Sequence, residues 1–182
     1  MKKSYVMKTK YKYAALGTLL IAATLSAPAS AENAQPGEFT MGVISDDAYG
    51  ITVTKGKYEQ AIERITKNGK RLPRSFADQI NLCVAYTKSY EIEEAGAACD
   101  AAIAQVKKQE RRVSRINNNR NPEDRAYRAN LALALSNRGV LLAATGDAGR
   151  AEQDFYAAIA LQTRLTSIIE GNLERLDQMS AS

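Results

Sequence analysis

From Tyr58 onward apolar residues recur every three or four positions with polar residues between them, and this spacing predicts helices rather than strands. Tyr58, Ala61, Ile62 and Ile65 share one helical face, while Glu59, Glu63, Arg64 and Lys67 share the other. Asn68-Gly69 forms a helix stop, and Pro73 marks the boundary before the next unit. Ser75-Phe76-Ala77-Asp78 has the form of a capping box and opens a helix to about Ser89, with Ile80, Leu82, Cys83 and Tyr86 as its apolar surface. After a turn near Tyr90, a helix from about Ile92 keeps its period through Cys99, Ala102, Ile103, Val106, Val113 and Ile116. Asn117-Asn118-Asn119-Arg120-Asn121 breaks it. Asn121-Pro122-Glu123-Asp124 then supplies an N-cap, a first-turn proline and acids at the positive end of the next helix dipole. That helix runs to about Thr145 and turns at Gly146-Asp147. One long helix follows from about Gly149 through Leu161, Leu165, Ile168, Ile169, Leu173 and Leu176, with a bend at Gly171.

Upstream the pattern is less regular. Residues 32–41 read as a flexible lead-in broken by Pro36-Gly37. From Gly42 to Thr54 two readings stand. Asp46 and Asp47 could open a degenerate first helix, whereas Gly50 before Ile51-Thr52-Val53-Thr54 favours an extended segment packed on the helices.

One arrangement occurs three times. Ala61 precedes Ala95 by 34 residues, and Ala95 precedes Ala151 by 56. Each alanine follows a turn and is followed by further small and large apolar residues: Cys99, Ala102 and Ile103 in one copy, Phe155, Ala158 and Ile159 in another. Small residues let antiparallel helices approach closely, and a 34-residue helix–turn–helix period marks a solenoid. The 22 extra residues in the second interval predict two neighbouring helices each lengthened by about three turns, forming a projecting hairpin. Its stem carries Lys107, Lys108, Arg111, Arg112 and Arg115 against Glu110 alone. This is either a solvated helix face or a contact for an acidic partner or anionic envelope polymer.

The chain resembles the tetratricopeptide repeat family. The residues that carry the resemblance are Leu82, Cys83, Tyr86, Ala95 and Ala102 in one unit and Gly139, Leu142, Gly146, Ala151, Phe155 and Ala158 in another. The first unit matches in its second helix and in Pro73. The fold expected is all-α: a short solenoid of antiparallel helix hairpins with units at about 42–75, 76–109 and 132–165, elongated helices between the last two, and a C-terminal capping helix within a domain spanning 56–182. Residues 32–55 would be the lead-in or degenerate first helix.

Charge changes meaning once the start of the chain is set apart. Lys2, Lys3, Lys8, Lys10 and Lys12 precede an uncharged apolar run from Tyr13 to Leu25, and Ala29-Ser30-Ala31 follows. This is the form of a signal peptide over residues 1–31, cut after Ala31. The run is too short for a membrane span of roughly 20 residues. Residues 1–31 hold five lysines and no acid; of the chain's 25 basic and 20 acidic residues, 20 of each remain. The expected location is the periplasm or outside the cell, with no persistent basic face for nucleic acid and no membrane span after cleavage.

The residue inventory points away from catalysis. There is no histidine, no Gly-x-Ser-x-Gly elbow and no glycine-rich phosphate loop. Asp46-Asp47 and Glu93-Glu94 are adjacent acids whose side chains diverge on a helix. No enzyme activity, cofactor or metal site is expected. Cys83 and Cys99 stand on facing helices, with an apparent offset of one turn that places their Cα atoms near the disulfide limit of about 7 Å. They are either a disulfide, compatible with export, or two buried thiols.

The resemblance implies a partner-binding concave groove lined by the first helix of each pair. Carried onto this chain, the groove takes Ala77, Ile80, Asn81, Val84, Thr87 and Lys88 from one unit and Leu133, Ser136, Asn137, Val140 and Ala144 from the other. Asn81 and Asn137 occupy matching positions, and would either hold a ligand backbone or satisfy the scaffold's own. The function this implies is a non-enzymatic periplasmic or secreted adaptor or scaffold for envelope or secreted proteins. The alternatives are a self-associating homodimer or, less favoured, a small enzyme.

Overall fold

The structure, a computed structural model, describes residues 39–46, 48–69, 74–113 and 122–181. The expected leader over residues 1–31 with its expected cut site, the Pro36-Gly37 breaker, Pro73, Arg115 and the asparagine-rich run at 117–121 lie outside these residues, as do the side chains of Arg111 and Arg112. The described chain is all-helical: α1 (Ala48–Thr54), α2 (Tyr58–Gly69), α3 (Phe76–Lys88), α4 (Ile92–Val113), α5 (Pro122–Ala144), α6 (Ala148–Ile159) and α7 (Thr166–Ser180).

Each helix packs on the next in sequence, and α1, α3, α5 and α7 also pack successively on one another. The odd-numbered helices therefore form one inner row, flanked by α2, α4 and α6. Local chemistry sets several boundaries. The Ser75 hydroxyl accepts from the Asp78 N–H at 3.1 Å, and the Asp78 carboxylate accepts from the Ser75 N–H at 2.8 Å, a reciprocal cap that starts α3. Asp147 accepts from the Arg150 N–H at 3.2 Å and starts α6.

The repeated small residues lie where the helices meet. Ala61, Ala95, Ala102, Ala151 and Ala158 are fully buried. Gly139 of α5 faces the Phe155 ring so closely that a Cβ there would stand 2.7 Å from it. Helices α4 and α5 span 22 and 23 residues against 13 in α3 and 12 in α6, an excess of about three turns each at the position of the long interval.

The structure corrects the sequence reading at several points. The single long helix expected after Gly149 is two helices, α6 and α7, separated by residues 160–165. Gln162 adopts the left-handed φ of 50°, the Thr163 hydroxyl accepts from the Leu165 N–H, and Arg128 donates through Nε and Nη2 to the Leu161 carbonyl. The apolar period runs unbroken through this turn and so hides it; Gly171 lies inside α7. The offset expected between the cysteines is also absent. Cys83 and Cys99 have sulfurs at bonding distance with Cα atoms 4.9 Å apart, because α3 and α4 approach closely beside Ala95, Ala98 and Ala102.

The lead-in differs too. Phe39 is 3% exposed and joins the main core cluster with Ile169 and Leu176 of α7, so the domain takes in residues assigned to a flexible segment. Between Gly42 and Thr54 the two alternatives divide the segment: residues up to 45 are non-helical, and α1 begins at Ala48.

Candidate functional site

Residues 39–45 form a strap laid across the inner row of helices, and three asparagines hold it. Asn172 of α7 accepts from the Thr40 N–H at 2.9 Å and donates to the Thr40 carbonyl at 2.8 Å. Asn137 of α5 makes the same pair with Gly42, both at 2.8 Å. Asn81 of α3 makes it with Ile44, at 3.1 and 3.0 Å. In an extended chain the N–H and C=O of one residue point to the same side, and the next residue points to the other. Each carboxamide therefore acts as one residue of a neighbouring strand, and the clamps fall on every second position of the strap. Met41 and Val43, on the other edge, have no main-chain hydrogen bond among the described residues.

Burial makes these clamps strong structural constraints. All three asparagines are fully buried. A buried amide must find partners or cost the free energy of lost hydration, and here both ends of each amide are satisfied. The strap runs from α7 through α5 to α3, opposite to the order of the helices in sequence. Its side chains add apolar contacts: Met41 packs against all three core clusters, Val43 against the cluster of Val53, Ala61, Val84 and Ala85, and Ile44 against the main cluster.

Two glycines permit the close fit. A Cβ on Gly42 would lie 2.2 Å from Leu133 Cδ1 of α5. A Cβ on Gly50, in α1, would lie 1.8 Å from the Ile44 carbonyl oxygen. The strap therefore ends tightly against the helix that follows it.

The residues expected to line a partner groove are largely buried within the chain itself. Ile80, Asn81, Val84, Thr87, Ser136, Asn137, Val140 and Ala144 are all buried, and Lys88 is half-buried. Ile80 and Val140 belong to the main core cluster, and the Thr87 hydroxyl donates to the Cys83 carbonyl within α3. Burial lowers the pKa of Lys88. Of the two roles open to Asn81 and Asn137, the structure places them on the protein's own backbone. Asn172, the third clamp, escaped the sequence reading, although it follows Asn137 by 35 residues, close to the repeat period.

One charged cluster elsewhere joins three helices. Arg138 of α5 makes two bonds to Asp154 of α6, at 2.7 and 2.8 Å, and one to Asp100 of α4 at 2.8 Å. These carboxylates, Asp154 first, raise the proton affinity of an already basic guanidinium. A concavity of about 690 Å³ between the start of α5 and the 160–165 turn has Arg125, Arg128 and Arg164 on its walls, with Arg128 committed to Leu161. Among the described residues no group of histidine, cysteine or acidic side chains could hold a metal ion, and no helix is long and apolar enough to cross a membrane. No family model matches the sequence, and neither the curated proteins nor the solved structures include a match.

Proposed function

We propose that this chain is a non-enzymatic, exported adaptor of the tetratricopeptide repeat kind whose concave face binds an extended polypeptide segment. The observation that carries this reading is the row of three asparagines, one on each of α3, α5 and α7, all gripping main-chain atoms two residues apart. Such clamps fix the direction and extension of a chain while reading little of its sequence, which suits recognition of a segment presented by another protein. Residues 39–44 occupy this face in the resting protein and display the conformation it receives. The leader-like residues 1–31 and the paired cysteines support export.

The test is capture from an envelope extract, followed by elution with excess synthetic peptide carrying the sequence of residues 38–46. Proteins released by the peptide are groove partners and support the adaptor. Proteins that remain bound without any being released would refute groove binding, and capture of this chain alone would favour self-association.

A further inference from the structure

The strap is held by two kinds of contact with different information content. The clamps read only main-chain N–H and C=O groups, so they admit any extended segment that lacks proline at the gripped positions. Side chains are read as well, most sharply at Phe39 and at the clamped Gly42. Phe39 is enclosed in the main core cluster, and Gly42 lies against Leu133 where a Cβ would be 2.2 Å from a methyl carbon. A single methyl could be met by rotation of Leu133; a larger side chain could not. No residue from Phe39 to Ile44 is charged, and an ion placed on this buried face would lose its hydration without a counter-charge.

Resting on the groove-binding reading above, we infer that the partner segment is uncharged where it faces the helices and repeats the strap's own pattern, a large apolar residue followed three positions later by glycine, and that it enters by displacing residues 39–44. It runs from α7 towards α3, as the strap does. The strap is tethered to α1 by Ser45-Asp46-Asp47, so it competes at high local concentration. A partner's apparent affinity is therefore reduced by the fraction of chains whose groove is open. Weakening the strap raises that fraction without altering the clamps.

The test uses the full chain as wild type, Phe39→Ala and Thr40→Pro, the last removing one gripped N–H at an exposed residue. Circular dichroism monitors the fold, amide exchange at positions 42 and 44 (and at 40 in the chains that keep Thr40) monitors strap release, and fluorescence anisotropy measures binding of the labelled 38–46 peptide. The peptide should bind the strap-weakened chains at least about tenfold more tightly than wild type. Peptides with Gly42→Leu or Phe39→Ser should bind at least about tenfold more weakly than the parent. Equal binding of all three peptides would overturn the pattern and leave groove binding standing. Absence of binding to a chain whose strap amides exchange freely would overturn both. Strap amides that stay protected in both variants, or loss of helical fold in both, would overturn displacement, because the strap would then be inseparable from the scaffold.

Discussion

Asn137→Ala removes the central clamp and tests the account most directly. The substitution deletes two hydrogen bonds of 2.8 Å to Gly42. Each contributes a net of about 0.5–1.5 kcal/mol, and orphaning the Gly42 N–H and C=O adds to the loss where water cannot replace the amide. The expected cost is about 2–4 kcal/mol, a large part of the roughly 5–15 kcal/mol that holds a domain together. Asn172→Ala and Asn81→Ala delete the equivalent pairs to Thr40 and Ile44 and should cost a similar amount. The three costs should also fail to add. Once the strap has undocked, a further clamp has nothing to hold, so the triple variant should plateau at the free energy of strap docking. Asn137→Asp sharpens the test. It keeps the acceptor for the Gly42 N–H but sets a buried carboxylate against the Gly42 carbonyl. That carboxyl should have a folded pKa above its unfolded value, so its penalty is greatest at neutral pH and is relieved as pH falls through the folded pKa. Urea melts followed by circular dichroism suit a chain without tryptophan, with amide exchange at positions 40, 42 and 44 reporting the strap. Single costs below about 0.5 kcal/mol with those amides still protected would refute the reasoning, as would a triple cost equal to the sum of the singles.

Three further outcomes follow from the structure. Gly50→Ala should destabilise despite a helix-propensity gain of about 1 kcal/mol, because its Cβ would meet the Ile44 carbonyl oxygen at 1.8 Å and Ser45 Cα at 2.8 Å, backbone atoms that cannot rotate aside; a higher melting temperature would contradict the close approach. Cys83→Ser with Cys99→Ser should lose about 3 kcal/mol, the chain-entropy value for a short loop, and thiol titration of the denatured unreduced protein should find neither cysteine free. Asp147 has its pKa lowered chiefly by its hydrogen bonds from Arg150, so its contribution to α6 is present above the unfolded carboxylate pKa and lost as pH falls through the folded one. Exchange at the first turn of α6 should therefore rise in strong acid, and Asp147→Asn should flatten that dependence.

The elements legible in the sequence are those specified by neighbours a few residues apart. The Ser75–Asp78 cap, the alanines at the helix seams and the lengthening of α4 and α5 all declare themselves through local chemistry or a change of interval. The α6–α7 break does not, because Leu161, Leu165, Ile168 and Ile169 keep helical spacing across a turn specified by Gln162, Thr163 and the distant Arg128. That hidden break also obscured Asn172, whose position becomes comparable with Asn137 only when α7 is a separate inner helix. The strap was harder still to read. Phe-Thr-Met-Gly-Val-Ile carries no sign of its partners, which lie 37, 95 and 132 residues away. The residues assigned to the groove are largely buried, and a local pattern cannot say whether a face is covered.

What the strap does to the stack follows from this separation. Helices that touch only their neighbours form a nearly one-dimensional array, in which a terminal unit can loosen without disturbing the far end. Here α3 and α7 do not pack on each other. The strap nevertheless joins them, since its Thr40 is clamped to α7, its Ile44 to α3, and its end continues into α1. It thereby makes the two ends of the row mutually dependent. A partner segment seated in the same clamps would restore the hydrogen bonds but not the covalent continuity from α7 to α1. The helices α3, α5 and α7 would remain bridged by the partner, while α1 would keep only its packing on α2 and α3.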